Sequence, residues 1–199
     1  MEAFLLLQLR GISSNKLWRS HIDDPTTPEK AASKLYSLIT NEPYSFRKRN
    51  LLFFCIGTDR STGDALGPLI GTRLLDLGIP ELHVRGTLDS PIHGANLQSS
   101  IDEAYSVNQK PYIIAIDACL GRLENVGMIT VSKGPLRPGA GVSKSLPPIG
   151  DVNVTGIVNV GGYMEYLVLQ NTKLSMVMKM AEIISEALLK VAKEFMIIS

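Results

Sequence analysis

The stretch CIGTDRSTGDALGPLIG, residues 55–71, contains the change from an apolar run to a helical pattern. It begins where an apolar run, LLFFCIG (51–57), is stopped by a glycine, and it continues through a loop of small and polar residues. Apolar residues at helical spacing follow from Leu66 to Leu77. A continuous apolar run is typical of a strand covered on both faces, so this stretch predicts a buried strand, a loop and a helix.

Further strands are predicted from the same kind of pattern. The run PYIIAIDA is as apolar as the first strand and predicts a second buried one, whereas the remaining runs are shorter or more polar. The strands predicted after the first are 81–86, 111–118 and 127–134, and a short strand or turn is predicted at 154–162.

Helices are predicted between these strands, at residues from Thr27 onward, at 95–107 and from Thr172 to Phe195. Alternating strands and helices indicate the α/β class, here a three-layer α/β/α sandwich with a largely parallel sheet. Residues 25–199 are predicted to form this single domain. Residues 1–24 are predicted to be an N-terminal arm that is either loosely ordered or at a subunit contact, which leaves a homo-oligomer open.

The composition narrows the function classes. Among 199 residues, 20 are basic and 19 acidic, and the formal net charge is +1. This balance gives no reason to expect nucleic acid or a membrane as the partner. The N-terminal apolar run is too short to span a bilayer, so a cytoplasmic location is predicted. The two cysteines, Cys55 and Cys119, are predicted to be unpaired buried thiols in a reducing compartment.

Two acidic residues follow predicted strands. Asp64 lies after the first strand and Asp117 ends the run IIAIDA. In α/β sheets, ligands bind outside the carboxyl ends of the strands, so neighbouring strands would bring both carboxylates into one crevice. Such a pair shares a proton and can act as acid and base. The structural alternatives are a helix cap for Asp64 and a hydrogen bond to loop amides for Asp117.

The loops at the same predicted edge supply candidate substrate-binding residues. His93 follows the second strand, and it either binds substrate or a metal, caps the next helix, or has no chemical role. The loop GTDRSTGD lacks the Gly-Lys-Ser/Thr ending of a phosphate loop, so no nucleotide cofactor is expected. The segment 137–151 is either a flap over the substrate or a surface loop. The candidate substrate-binding residues are Thr58, Asp59, Arg60, His93, Gly139, Gly141 and Lys144.

These motifs, taken together, resemble a known family. The strings CIGTDRSTGDALGPLIG, GTLDSPIHGANL, IIAIDACLGR and RPGAGVSKSLPPIGDVNVTGIVNVGG, with the closing helix, resemble the YyaC-type proteins assigned to sporulation in endospore-forming bacteria. The resemblance runs from about residue 21 to residue 195. It implies a role in the spore or forespore.

A more distant resemblance concerns chemistry. GDALGP and AIDA are similar to two motifs of the spore germination protease, an aspartic-type endopeptidase whose two functional aspartates fall on Asp64 and Asp117. Hydrogenase-maturation proteases are similar over the same core and have metal-binding acids at these positions. Their third ligand is a histidine after the second acid, and this sequence has none after His93, so no metal site is carried over. The implied fold is the phosphorylase/hydrolase-like sandwich.

Three hypotheses for the function follow. The first is a sporulation-associated peptidase that cleaves a peptide or a small spore protein with Asp64 and Asp117 and needs no cofactor. The second is a non-catalytic sporulation protein that binds a peptide or protein partner in the same cleft. The third and least favoured is a metal-assisted maturation enzyme that uses Asp64, Asp117 and His93.

Overall fold

The computed structural model describes residues 17–43, 49–107, 110–139 and 146–198. Six strands form one sheet in the spatial order β1-β5-β6-β4-β2-β3. The strands are β1 (Trp18–His21), β2 (Leu51–Cys55), β3 (Val84–Arg85), β4 (Tyr112–Gly121), β5 (Met128–Lys133) and β6 (Val152–Val160). Among the described strands, β5 alone runs opposite to the other five, so the sheet is largely parallel, as predicted.

Within the described residues, five α-helices accompany the sheet: α1 (Thr27–Thr40), α2 (Leu66–Asp76), α3 (Leu97–Val107), α4 (Glu165–Gln170) and α5 (Leu174–Ile198). Helices α1, α2 and α5 bury their apolar residues against one face of the sheet. Helix α3 covers part of the other face with Leu97, Ile101 and Ala104. The architecture is therefore the predicted three-layer α/β/α sandwich.

The two central strands are apolar because both of their faces are covered. Every residue of β2 is buried, and its residues alternate between the two helical layers. Strand β4 is buried from Tyr112 to Asp117 and becomes half-buried beyond that residue. In contrast, β6 alternates between buried and half-buried residues, since helices cover only one of its faces.

Several elements of the structure differ from those predicted from the sequence pattern. Residues 18–21, assigned above to the arm, form the edge strand β1 and pair with β5. Strand β3 has only two residues because Glu81–His83 form a 3-10 turn. Strand β6 has nine residues, although its glycine and polar residues suggested a short strand or turn. The six-residue helix α4 was not predicted.

No helix among these described ranges combines the length and the apolar character needed to cross a membrane. Residues 1–16 lie outside the described residues, and so do Gly141 and Lys144, two of the candidate substrate-binding residues.

Candidate active site

Strands β2 and β4 are adjacent and parallel, as the paired-acid hypothesis requires. Cys55 of β2 lies beside Ile116 of β4, and Asp117 follows immediately. After β2 the chain turns through a loop into the 3-10 turn Gly63–Ala65, which carries Asp64. Both acids therefore lie at the carboxyl ends of two neighbouring central strands, where α/β proteins usually bind ligands.

Asp117 is the more deeply buried acid, with only 9% of its surface exposed. The backbone amide of Ala118 donates a hydrogen bond of 2.8 Å to its Oδ1. Burial raises the pKa of Asp117 well above its ordinary value, and the negative charge of Asp64 raises it further, whereas the Ala118 amide lowers it. The donor is an amide of β4 rather than the predicted loop amide, and this hydrogen bond does not offset the cost of burying the carboxylate.

Asp64 is half-buried in a loop whose backbone is closely packed. The Thr58 amide donates to the Asp64 carbonyl oxygen at 3.1 Å. Gly57 has a φ of 144°, and a Cβ at that position would lie 2.0 Å from the same oxygen. The loop that follows β2 therefore requires glycine at position 57.

The structure gives no support to Asp64 as a helix cap. Helix α2 begins at Leu66, its N-cap residue is Ala65, and no side-chain hydrogen bond caps it. Burial raises the pKa of Asp64, while the Thr58 amide and the positive charge of His93 lower it. Asp64 is thus free to interact with a ligand, and Thr58 and His93 both act on its charge.

Backbone contacts hold His93 near the end of β2. The Gly57 amide donates to the Ile92 carbonyl at 2.7 Å, and Ile56 and Ile92 form an isolated parallel bridge. The His93 amide donates to Asn96 Oδ1 at 2.8 Å, and the Ala95 amide donates to His93 Nδ1 at 3.3 Å. These bonds fix the position of the half-buried imidazole relative to the end of β2.

The remaining predicted residues within the described ranges lie in two loops. Asp59 and Arg60 are exposed in the loop after β2, and the Arg60 amide donates to Thr58 Oγ1 at 3.4 Å. Gly139 is half-buried in the described part of the Gly- and Pro-rich segment. That segment returns to the site, because a Cβ on Gly94 would contact Leu146 at 3.5 Å.

Helix α4 supports the turn that carries Asp64, and sequence reasoning missed this helix. A Cβ on Gly63 would lie 2.8 Å from Leu169 Cδ2 and 2.9 Å from Thr172 Oγ1. The Asn159 amide group donates to Thr172 Oγ1 and to the Val168 carbonyl, both at 3.2 Å, and so ties β6 to the end of α4. The small residue at position 63 was the only available signal for this close approach.

Within the ranges that the structure describes, no three His, Cys, Asp or Glu side chains are grouped closely enough to hold a metal ion. The metal-assisted hypothesis with Asp64, Asp117 and His93 gains no support from this arrangement. The geometry offers instead two carboxyl groups with raised pKa values and unequal burial. Such a pair can hold one proton and exchange it with a bound molecule.

Comparison with known proteins identifies the family. Residues 19–187 match the family described as Protein of unknown function (DUF1256). The chain is 45% identical over 162 residues to the Uncharacterized protein YyaC of Bacillus subtilis (strain 168), which covers 81% of this chain and 79% of that protein. The chain belongs to the DUF1256 family, as the resemblance to YyaC-type proteins predicted.

One solved structure is similar in part. It is the crystal structure of the [NiFe] hydrogenase maturation protease HycI from Thermococcus kodakarensis KOD1. The similarity has a TM-score of 0.44 at 18% sequence identity and covers 70% of this chain and 92% of that one.

Proposed function

We propose that this protein is a peptidase in which Asp64 and Asp117 form the catalytic pair. The observation that carries the proposal is the placement of two carboxyl groups with raised pKa values at the ends of adjacent parallel strands. A buried acid whose pKa is raised by a second acid has a cost to stability, and such costs are concentrated at functional sites. The substrate class is a peptide or a small spore protein, and the compartment is the cytoplasm of the spore or forespore.

The different surroundings of the two acids assign their roles. Asp117 is the more buried and keeps the proton that the pair holds. Asp64 is nearer the solvent, and both the Thr58 amide and His93 favour its charged form. Asp64 is therefore the general base, and Asp117 is the general acid.

With these roles, the two acids can catalyse the hydrolysis of a peptide bond and return to their starting protonation states. Asp64 takes a proton from a water molecule while the water oxygen attacks the scissile carbonyl carbon, and Asp117 gives its proton to the carbonyl oxygen. The resulting gem-diol collapses as the carbon–nitrogen bond breaks. The leaving nitrogen takes the proton from Asp64, and one hydroxyl of the diol returns a proton to Asp117. Both acids end in their starting states.

The experiment is incubation of the full chain with small acid-soluble spore proteins, followed by mass spectrometry of the products. Asp64→Asn and Asp117→Asn should each abolish cleavage, because each removes one proton-transfer step. Asp76→Asn, at the exposed end of α2, is the matched control and should leave cleavage unchanged. Cleavage that persists in both site variants would refute the assignment.

A second candidate function is binding without catalysis, and one observation favours it. Four large side chains around α4 are exposed, although the helix packs against the Asp64 turn. They are Tyr163, Met164, Tyr166 and Leu167. A partner that covers these four side chains would stay bound to the protein without being cleaved. Stable capture of an intact spore protein by both the wild-type chain and Asp64→Asn would favour this alternative.

A further inference from the structure

A groove lies along the free edge of β3, on the side of the sheet away from β4. It has a volume of about 470 Å³, within the range of roughly 300–1,000 Å³ usual for ligand sites. Its walls come from both layers of the sandwich: Leu75 of α2 on one side, and Ser100 and Glu103 of α3 on the other. Val84 and Arg85 of β3 lie between these walls. We call it the β3 edge groove.

Strand β3 has a neighbour on one side only. It pairs with β2, and no strand of the described residues lies on its other side. The free edge of a parallel sheet presents backbone N–H and C=O groups to whatever fills the space beside it. Here the Arg85 guanidinium folds back and donates hydrogen bonds to the carbonyls of Val84 (3.0 Å) and Glu81 (2.9 Å). The Arg85 side chain therefore donates to the Val84 carbonyl, which could otherwise accept a hydrogen bond from the backbone of another strand.

The groove has two acidic side chains that form no ion pair with another described residue. Glu81 and Glu103 are both exposed at the groove, and no lysine or arginine of the described residues forms an ion pair with either. Arg85 is the only cation among the lining residues, and its guanidinium is engaged with backbone carbonyls. The groove therefore favours a ligand that brings positive charge.

The groove also leads towards the candidate active site. Its lining continues along the chain through Ser90, Pro91 and Ile92, and the next residue is His93. Ile92 is bonded to the end of β2, next to the loop that carries Asp64. A chain that lies beside β3 would thus reach the carboxyl end of the sheet within a few residues, at about 3.3 Å of rise per residue.

We propose that the β3 edge groove binds an extended polypeptide segment with basic side chains, which adds a strand to the sheet beside β3. The incoming backbone replaces the Arg85 guanidinium at the Val84 carbonyl, and its basic side chains face Glu81 and Glu103. Main-chain hydrogen bonds hold the segment, and the two glutamates select its charge. The inference rests on the proposed function in one respect: the segment belongs to the polypeptide that reaches Asp64 and Asp117.

The test uses a dye-labelled octapeptide of alternating valine and lysine, with fluorescence anisotropy on the full chain. Three companion peptides are used: one replaces lysine by glutamate, and two carry N-methyl groups at alternate residues, one in each of the two alternating registers. The lysine peptide should bind about tenfold more tightly than the glutamate peptide. One of the two alternating N-methylation registers should abolish binding, because it removes the donors that face β3.

Variants then locate the site. Ser100→Trp should abolish binding by filling the groove, and Glu81→Gln and Glu103→Gln should each weaken it by about threefold, as exposed charge pairs do. Arg85→Ala should strengthen it, since the Val84 carbonyl is uncovered and a cation is removed. Glu124→Gln, in the exposed 3-10 turn Leu123–Asn125, is the matched control and should have no effect. Circular dichroism checks that every variant is folded.

The outcomes separate this inference from the proposed function. Binding of the lysine peptide by the wild-type chain, without any cleavage of spore proteins, would leave the groove assigned and refute the peptidase. Binding unaffected by Ser100→Trp and by both N-methylation registers would overturn the groove. No saturable binding of the lysine peptide up to about 1 mM would also overturn it.

Discussion

Asp64 lies close enough to Asp117 for the two carboxyl groups to interact electrostatically. The charge of Asp64 raises the pKa of Asp117, whereas the groups that alter the pKa of Asp64 are its buried surroundings, Thr58 and His93. We therefore expect the pair to titrate in two separated macroscopic steps, neither of which belongs to one residue alone.

The first prediction concerns stability against pH. Because the pKa of Asp117 is higher in the folded chain than in the unfolded chain, the folded state binds more protons between these two pKa values. The free energy of unfolding should therefore fall as the pH rises from about 4 and level off above the folded-state pKa. Asp117→Asn should lack this fall and become the more stable protein at high pH.

Chemical denaturation across a pH series measures this difference. Asp76→Asn removes an exposed carboxylate and controls for the loss of one charge. Parallel pH profiles for wild type and Asp117→Asn would mean that Asp117 ionises in the folded protein as it does in the unfolded chain.

The second prediction separates a helix cap from a catalytic acid at position 64. Asp64 makes no capping hydrogen bond to α2, so Asp64→Ala should not have the cost of about 1 kcal/mol that follows the loss of a cap. Asp64→Asn and Asp64→Ala should match each other within about 0.5 kcal/mol, and both should lose cleavage. An alanine variant that is clearly less stable than the asparagine variant in urea denaturation would restore the cap interpretation.

The third prediction uses a thiol as a reporter of the site. Both cysteines are free, and burial raises the pKa of Cys119 to about 11, with a further contribution from Asp117. Asp117→Asn should lower the pKa of Cys119 and speed its alkylation by iodoacetamide between about pH 9 and pH 10. Cys55 is fully buried and should remain unmodified in the folded protein.

Peptide mapping of the alkylated protein assigns each thiol. Equal rates for Cys119 in wild type and Asp117→Asn would show that the carboxylate does not act on the thiol. A mass lower by two hydrogens under non-reducing conditions would contradict the free cysteines.

The fourth prediction concerns the packing that positions the Asp64 loop. A Cβ on Gly67 would lie 2.0 Å from the Ile56 carbonyl oxygen, so helix α2 can approach β2 only because position 67 has no side chain. Gly67→Ala should destabilise the protein by about 1–3 kcal/mol, as overpacking does. Gly94→Ala is the matched control, since its Cβ would meet Leu146 at an ordinary 3.5 Å. Thermal unfolding of both variants compares them, and a fully stable Gly67→Ala would disprove the close approach.

The sequence predicted the elements whose pattern reflects burial. The strands β2 and β4 were recognisable because helices cover both of their faces, which requires continuous apolar runs. The placement of Asp64 and Asp117 followed from the ends of those runs. The roles of these acids in catalysis remain predictions.

Elements that depend on distant contacts were not visible in the sequence. Strand β1, with the sequence WRSH, is held by its pairing with β5 rather than by any pattern of its own. Helix α4 has six residues and none of them is buried, so it has no periodic signal. The groove beside β3 depends on α2 and α3 lying in opposite layers, which no local pattern encodes.

The alternation of buried and half-buried residues along β6 determines where Asp117 lies in the sheet. Strands β2 and β4 are apolar on both faces. A shift of either strand by one residue would therefore only exchange one apolar face for the other. Strand β6 cannot slide in this way, because a one-residue slip would turn Val152, Val154 and Val158 out to water and its polar residues into the core. Strand β6 pairs with β4 from Ile114 to Gly121. Its register therefore fixes the position of Asp117 along the strand direction of the sheet.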